Sequence, residues 1–270
     1  MPDITTEDAT LHVEVEGDGL PVTVFAHGLT NSRNELAAFT PFLDGTKVRF
    51  DFRGHGLSSV PQTGYRFADF ARDLEAVADA YGATRAVGTS LGAGAITNLI
   101  AREPDRFERI VFLLPAALDV PLADHRDFDR TAERLESLSK EQAIDAILTS
   151  PDRLELYERA PWLREFDMLL WQDMNPQGVA RAIREVVRDV AVEDREVLRR
   201  VTAPTMIISR EGDRVHPAEL GRVLAALMPN AELIMLSGEE ELMASIPMLV
   251  GRVKAFLEER RVSADEDGAA

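Results

Sequence analysis

No cysteine occurs among the 270 residues, which excludes disulfides, thiolate nucleophiles and cysteine-based zinc sites. A basic surplus is missing too, since 30 Lys and Arg stand against 47 Asp and Glu for a net charge of −17. Nucleic acids and anionic membranes need basic surface, so neither is expected as a partner, and highly anionic substrates are disfavoured. No apolar run reaches the length of a membrane span. The acidic start Met1-Pro2-Asp3-Ile4-Thr5-Thr6-Glu7-Asp8 lacks the basic and apolar regions of a signal peptide, so a soluble cytoplasmic protein is expected. Neither H-E-x-x-H nor a carboxylate cluster at ligand spacing is found, and no metal or cofactor is expected. Internal repeats are absent. Histidine is scarce, with five in the chain, and the last of them is His216.

What is present suits one large α/β domain carrying an insertion: the length can bury a sizeable core, and 45% hydrophobic content with 29% charge is ordinary for a globular protein. The chain is organised around Val87-Gly88-Thr89-Ser90-Leu91-Gly92-Ala93-Gly94, a G-x-S-x-G between a short apolar run at 84–87 and a helical pattern at 95–102. A serine hydroxyl is a poor nucleophile until a turn presents it, a base takes its proton and amide donors receive the oxyanion. A sharp strand-to-helix turn does the presenting, and its crowded flanks need glycine or another small residue. The following helix aims free N–H groups and its positive dipole end at the same place. The plainer alternative is that Ser90 merely caps a helix.

Around this stretch, β and α patterns alternate. A half-exposed strand is expected at 11–16, a strand buried on both faces at 22–26, a helix at 33–42 and a strand at 47–50. An amphipathic helix over 67–81 stops at Gly82, and a strand follows the elbow helix at 110–114. The alternation breaks at Asp119. Through about Arg200 only helical patterns rich in Arg and Glu occur, and both tryptophans, Trp162 and Trp171, fall there. It resumes with a strand at 205–208, a helix at 217–228, a strand at 232–236 and a last helix to about 259. The expected division is therefore a core at 1–118 and 201–262, a helical insertion at 119–200, and a disordered acidic tail at 263–270.

Together these elements resemble the α/β-hydrolase fold over essentially the whole chain. Four landmarks recur in family order at strand ends: His27-Gly28, Asp51-x-Arg53-Gly54-x-Gly56-x-Ser58, Gly88-x-Ser90-x-Gly92, and Glu211-Gly212-Asp213-x-x-x-Pro217. The resemblance implies a mostly parallel sheet covered by helices on both faces, with residues 119–200 as a helical lid. It implies Ser90 as nucleophile, Asp213 as the acid that orients the base, and the N–H groups of Leu29 and Leu91 as oxyanion hole. Asp119 is a weaker candidate for the acid. His27 is placed with the substrate-binding residues, although a structural role suits both it and His55 better. The apolar lid side chains Trp162, Phe166, Leu169 and Leu170 are expected to line a pocket for an apolar small molecule, or else to glue lid to body.

One departure stands out. The family carries its catalytic histidine in the loop after the eighth strand of the sheet, where this chain reads Leu236-Ser237-Gly238-Glu239-Glu240-Glu241-Leu242-Met243. Loss of that histidine costs a serine triad on the order of a million-fold in turnover. Two replacements are considered. His216 lies three residues after Asp213, and imidazole has a reference pKa of about 6.5 that suits a general base; against it, the tight turn shared with Asp213 strains the geometry, and a solvent-facing loop histidine is the plain alternative. Glu241 or Glu240 occupies roughly the place of the missing histidine, though adjacent glutamates usually form a solvated acidic turn. Three functions follow: a hydrolase of small esters, lactones or related carbonyl compounds with an atypical triad, a non-catalytic binder of small molecules, or lyase or oxygenase chemistry on the same scaffold.

Overall fold

In the computed structural model, which describes residues 3–122 and 125–259, a small ribbon pairs β1 (Ile4–Thr5) with β2 (Thr10–Leu11). A seven-stranded sheet follows, formed by β3 (Val13–Glu16), β4 (Val22–Ala26), β5 (Thr46–Phe50), β6 (Arg85–Thr89), β7 (Arg109–Leu113), β8 (Thr205–Arg210) and β9 (Ala231–Leu236). The spatial order is β3-β5-β4-β6-β7-β8-β9, with β3 antiparallel to β5 and every other pairing parallel. All five residues of β4 are buried, as befits a strand covered on both faces.

The covering helices begin with α1 (Phe67–Tyr81) and α2 (Leu91–Arg102). In α1, Phe70, Leu74, Val77 and Ala78 fall on one stripe and are buried, and Gly82 ends the helix in the left-handed region at φ 62°. Between β7 and β8 run α3 (Arg126–Ser137), α4 (Lys140–Leu148), α5 (Pro151–Arg159), α6 (Trp162–Trp171) and α7 (Pro176–Val186), with no strand among the described residues of this stretch. The chain then returns through α8 (Ala218–Leu227) and α9 (Glu239–Glu258). Leu74, Ile96, Leu99 and Leu224 share one apolar cluster with Val24 and Ile207, while Leu249 and Val253 of α9 share a second with Phe25, Val87 and Val111. Successive residues of each strand thus feed opposite sides of the sheet.

The helix expected at 33–42 is not formed. Glu35, Ala37, Phe39 and Thr40 donate to carbonyls three residues back, and only Thr40–Phe42 makes a short 3₁₀ turn. Tertiary partners draw this backbone out of helical register: the Arg33 N–H donates to Asp51 at 2.7 Å, and the Ser32 hydroxyl donates to the Leu170 carbonyl at 2.9 Å. The tail at 263–270 lies outside the described residues. Among the described residues, no helix is long and apolar enough to cross a membrane, and no group of three or more acidic or histidine side chains is arranged to hold a metal ion.

The Asp51-to-Ser58 landmark is a buried polar knot. The Asp51 carboxylate accepts from the Arg33 guanidinium at 2.8 Å and from the Leu57 N–H at 3.0 Å. Arg53, fully buried, is held by Asp73 and Asp8, so its charge is paired on both sides. His27 and His55 belong to the same region, their ring centroids 5.1 Å apart. His27 donates from Nδ1 to the Gly28 carbonyl at 2.8 Å and accepts the Phe52 N–H at Nε2 at 3.0 Å. Both ring nitrogens are therefore engaged, and His27 holds two loops together instead of facing a ligand.

Burial lowers His27 to about 4, despite its bond to the Gly28 carbonyl, and burial with the neighbouring His27 ring lowers His55 to about 3. In the unfolded chain both titrate near 6.5, so the unfolded state binds more protons than the folded state below that pH. Stability is complete above pH ~6.5 and should fall as pH drops towards 4, by roughly 2 kcal/mol per imidazole between pH 7 and 5. Urea denaturation at a series of pH values checks this; equal stability at pH 7 and pH 5 would show that these rings are not held neutral.

Candidate active site

Open α/β sheets bind ligands where neighbouring strands send their connections in opposite directions. Here that point lies between β4 and β6, because β4 connects to β5 on one side while β6 connects to β7 on the other. Ala26 pairs with Gly88, so the turns after these strands meet at the carboxyl edge. Ser90 stands there in a left-handed conformation at φ 50°, forced on a residue with a side chain. Its N–H donates to the Leu113 carbonyl at 3.0 Å, and its own carbonyl accepts the Gly94 N–H at 3.0 Å.

The flanking glycines are steric requirements. A Cβ on Gly92 would come within 2.0 Å of the Ala26 carbonyl oxygen, and one on Gly88 would stand 2.7 Å from the backbone carbon of Gly92. The first turn of α2 leaves N–H groups without intrahelical acceptors, and Leu91 in that turn lines the cavity beside Ser90, as does Leu29 after β4.

The loop after β8 supplies the other two groups. Asp213 divides its carboxylate between two tasks: Oδ1 accepts the backbone N–H groups of Val215 at 2.9 Å and His216 at 3.0 Å, while Oδ2 accepts from His216 Nδ1 at 3.0 Å. With Nδ1 carrying that proton, Nε2 is free to accept from the Ser90 hydroxyl, and the two atoms are 3.1 Å apart. Arg210 also reaches Oδ2, at 2.8 Å, fixing the carboxylate from behind. Burial opposes ionisation of Asp213, but the hydrogen bonds and charge of His216 and the Val215 N–H outweigh it and hold the group well below the usual carboxylate range. It is thus ionised throughout the working pH range. The short loop that argued against this pairing is what permits it, because the two carboxylate oxygens point along different directions.

A cavity of about 440 Å³ opens in front of Ser90. Its walls are mainly apolar, with Leu29, Phe67, Leu122, Phe128, Trp171 and Val187 among them. Helices α3, α5 and α6 of the insertion thus contribute Phe128, Arg153 and Trp171, but not the residues singled out from sequence. Trp162 and Leu169 are 52% and 43% exposed, Phe166 packs beside Trp162 away from the cavity, and Leu170 is buried with its carbonyl accepting from Ser32. The inward stripe of α6 runs through Leu163, Asp167, Leu170 and Trp171, which leaves Trp162 and Leu169, seven residues apart, on the outer face.

Four further candidates lie elsewhere. His27 does not line the cavity. Glu241 accepts the Ser237 N–H at the start of α9, and Glu240 is fully exposed near Arg159; neither borders the cavity. Asp119 pairs with Arg195 at 3.1 Å. Polar residues that sequence reasoning passed over do border it, Glu35 and Asn31 among them. Glu35 accepts the Gly28 N–H at 2.6 Å, and Asn31 donates to it from Nδ2 while accepting the Trp171 indole N–H at 3.2 Å. Burial raises the Glu35 carboxyl above its ordinary range, opposed by the Gly28 and Asn31 hydrogen bonds and by His216. No motif marks Glu35, and its one sequence signal is its place a few residues after His27-Gly28.

A mostly parallel sheet carries a serine on a strained turn, with a histidine–aspartate pair beside it. The chain belongs to the alpha/beta hydrolase fold family, whose model matches residues 21–243. It is similar to the 2-(acetamidomethylene)succinate hydrolase of Mesorhizobium japonicum, 26% identical over 86% of this chain and 84% of that protein. Among solved structures it resembles a hydrolase from Pseudomonas aeruginosa PA01, with a TM-score of 0.77 and 26% identity over 95% of this chain and 97% of the other. The fold is also that of the enol-lactonase from Burkholderia xenovorans LB400, at TM-score 0.76 and 22% identity over 96% and 100% of the two chains. At the level of the family, a general hydrolase role is supported.

Substituting Gly92 by alanine tests the elbow. The added methyl cannot share space with the Ala26 carbonyl, so β4 and α2 must separate, at a cost of about 3 kcal/mol, the upper end of the usual scale of overpacking. A variant with wild-type stability in urea denaturation would mean that the strand–helix approach is looser than described.

Proposed function

We propose that this protein is a serine hydrolase of small esters, lactones or related carbonyl compounds, with Ser90 as nucleophile, His216 as general base and Asp213 as the group that orients and charges-balances the imidazole. One observation carries the reading: the 3.1 Å contact of His216 Nε2 with Ser90 Oγ continues through the 3.0 Å contact of Nδ1 with Asp213. In this scheme Ser90 Oγ attacks the substrate carbonyl while its proton passes to His216 Nε2. The Leu29 and Leu91 N–H groups receive the developing oxyanion. Collapse returns the proton from Nε2 to the leaving oxygen and leaves an acyl group on Ser90. Water, deprotonated by the same imidazole, then adds to the acyl carbon; as the bond to Ser90 Oγ breaks, Nε2 returns the proton to Oγ and the acid is released.

The apolar walls and the 440 Å³ volume suit a small, largely apolar acyl or lactone ring, with the helices of residues 119–200 serving as its lid. The named activities of the relatives, a succinate-derivative hydrolase and an enol-lactonase, lie within the same carbonyl chemistry. A purely binding role drew its support from the lack of a histidine after β9, and an imidazole at His216 removes that reason. No cofactor or metal has a part in the scheme, and the partner is the small substrate itself.

Two measurements test the proposal. A fluorophosphonate should label the wild type at Ser90 and leave Ser90→Ala unlabelled. In ester turnover from pH 5 to 9, His216→Ala should lower kcat by on the order of 10⁴ to 10⁶ and Asp213→Asn by about 10⁴, whereas Glu241→Gln should match wild type. Full activity in His216→Ala would remove the base from this scheme, and loss of activity in Glu241→Gln would reassign it.

A further inference from the structure

We propose that Glu35 is a positioning residue, whose carboxyl clamps the Gly28–Asn31 turn so that the Leu29 N–H points at the oxyanion formed on attack by Ser90. The inference rests on the acyl-transfer reading above and adds a residue that the reading does not use. The turn is closed by the Asn31 N–H donating to the Gly28 carbonyl at 3.2 Å, with Leu29 and Thr30 at its two central positions. Thr30 has φ 72°, a region that a β-branched residue enters only under strain of about 1–3 kcal/mol. Such a conformation persists when surrounding contacts over-determine it. Here one carboxyl supplies them at both ends of the turn. Glu35 Oε2 accepts the N–H of the first residue, Gly28, at 2.6 Å, and Oε1 accepts the side-chain N–H of the last, Asn31.

The clamp has no slack. The Asn31 Oδ1 accepts the Trp171 indole N–H at 3.2 Å, which fixes the Asn31 amide so that its nitrogen faces Glu35. Trp171 is itself 4% exposed and carries the Arg153 guanidinium 5.1 Å from its ring centroid, so the helical insertion holds the outer end. The inner end adjoins the reacting serine: a Cβ built on Gly28 would lie 3.3 Å from each Glu35 oxygen and 3.5 Å from Ser90 Cβ. Between these anchored ends lie Leu29 and Thr30, and Leu29 follows directly on the anchored Gly28. The Leu29 N–H lies in the Gly28–Leu29 peptide, whose carbonyl accepts the Asn31 N–H at 3.2 Å and the His27 Nδ1 proton at 2.8 Å. Glu35 holds the peptide before it, through the Gly28 N–H, and the side chain of the residue that closes the turn, so a loosened clamp lets the donor turn away from Ser90 while the nucleophile and base stay in place.

A glutamine is the discriminating substitute, because it fills the same volume but has one acceptor oxygen. It can keep Gly28 or Asn31, and its NH₂ then opposes the other donor. Glu35→Gln should lower kcat about tenfold and Glu35→Ala about a hundredfold, since removal of one oxyanion donor costs ~10² to 10³, with KM within threefold of wild type in both. Asn31→Ala should reproduce the glutamine effect, and the Glu35→Gln/Asn31→Ala double variant should add little to either single one. Leucine-selective ¹⁵N spectra read the clamp without any turnover: the Leu29 amide should shift in Glu35→Gln and in Asn31→Ala. A Leu29 amide that is unmoved in both, or a rise in KM with kcat unchanged, overturns the clamp. If the wild type neither labels nor turns over, the serine-hydrolase reading fails by that result, and the Leu29 amide still decides whether Glu35 holds the turn.

Discussion

The left-handed backbone at Ser90 is the constraint on which the rest depends. A residue with a side chain rests there only because β6 enters and α2 leaves through a gap too small for a Cβ at Gly88 or Gly92. The same crowding presses α2 against the Ala26 carbonyl at the end of β4. Three pieces of chain are thereby set at fixed distances: the serine, the free N–H groups of the α2 first turn, and the turn at Leu29. Apolar residues packed on both faces of the sheet hold that arrangement, and the polar groups at the cavity keep fixed distances as a result.

Given the serine, the loop after β8 solves a problem of placement with few residues. Asp213 uses one oxygen to cap its own loop through the Val215 and His216 N–H groups and the other to hold the His216 ring. The imidazole therefore arrives at Ser90 from a loop that is already closed by hydrogen bonds. Arg210, on the strand itself, ties this loop to the sheet. Burial alone would favour a protonated Asp213, and it is the number of donors around it that keeps the charge.

Beneath the site, charged and polar side chains do structural work in the interior. Arg53 with Asp73, Arg33 with Asp51, and the neutral His27 and His55 rings join the strand-end loops that a fully apolar core could not orient. The Asp51-to-Ser58 segment looks like a site in sequence because it is rich in groups that do chemistry. In the folded chain its carboxylate is taken by Arg33, its guanidinium by Asp73 and Asp8, and the Nδ1 of His55 by the Arg53 carbonyl, and none of them borders the cavity.

The sequence by itself determined the order of strands and helices apart from the helix expected at 33–42, together with the inserted helical stretch, the sharp turn at Ser90 and the place of Asp213 just after a strand. Those features are written in local periodicity and in glycine spacing, which act over a few residues: 22–26 and 67–81 coincide with β4 and α1 to the residue. Only the tertiary structure decided which side chains share a cavity. The 33–42 segment gave up its helical pattern to side-chain and backbone partners from distant elements, and a turn with Glu35 at the cavity wall resulted. On α6, the two tryptophans at its ends went to opposite fates, Trp171 inward and Trp162 outward, because rotation of a helix about its axis is fixed by what it packs on. The approach of His216 to Ser90 spans 126 residues of sequence, and a distance of that kind is set by the sheet that brings β6 and β8 to either side of β7, not by any local signal.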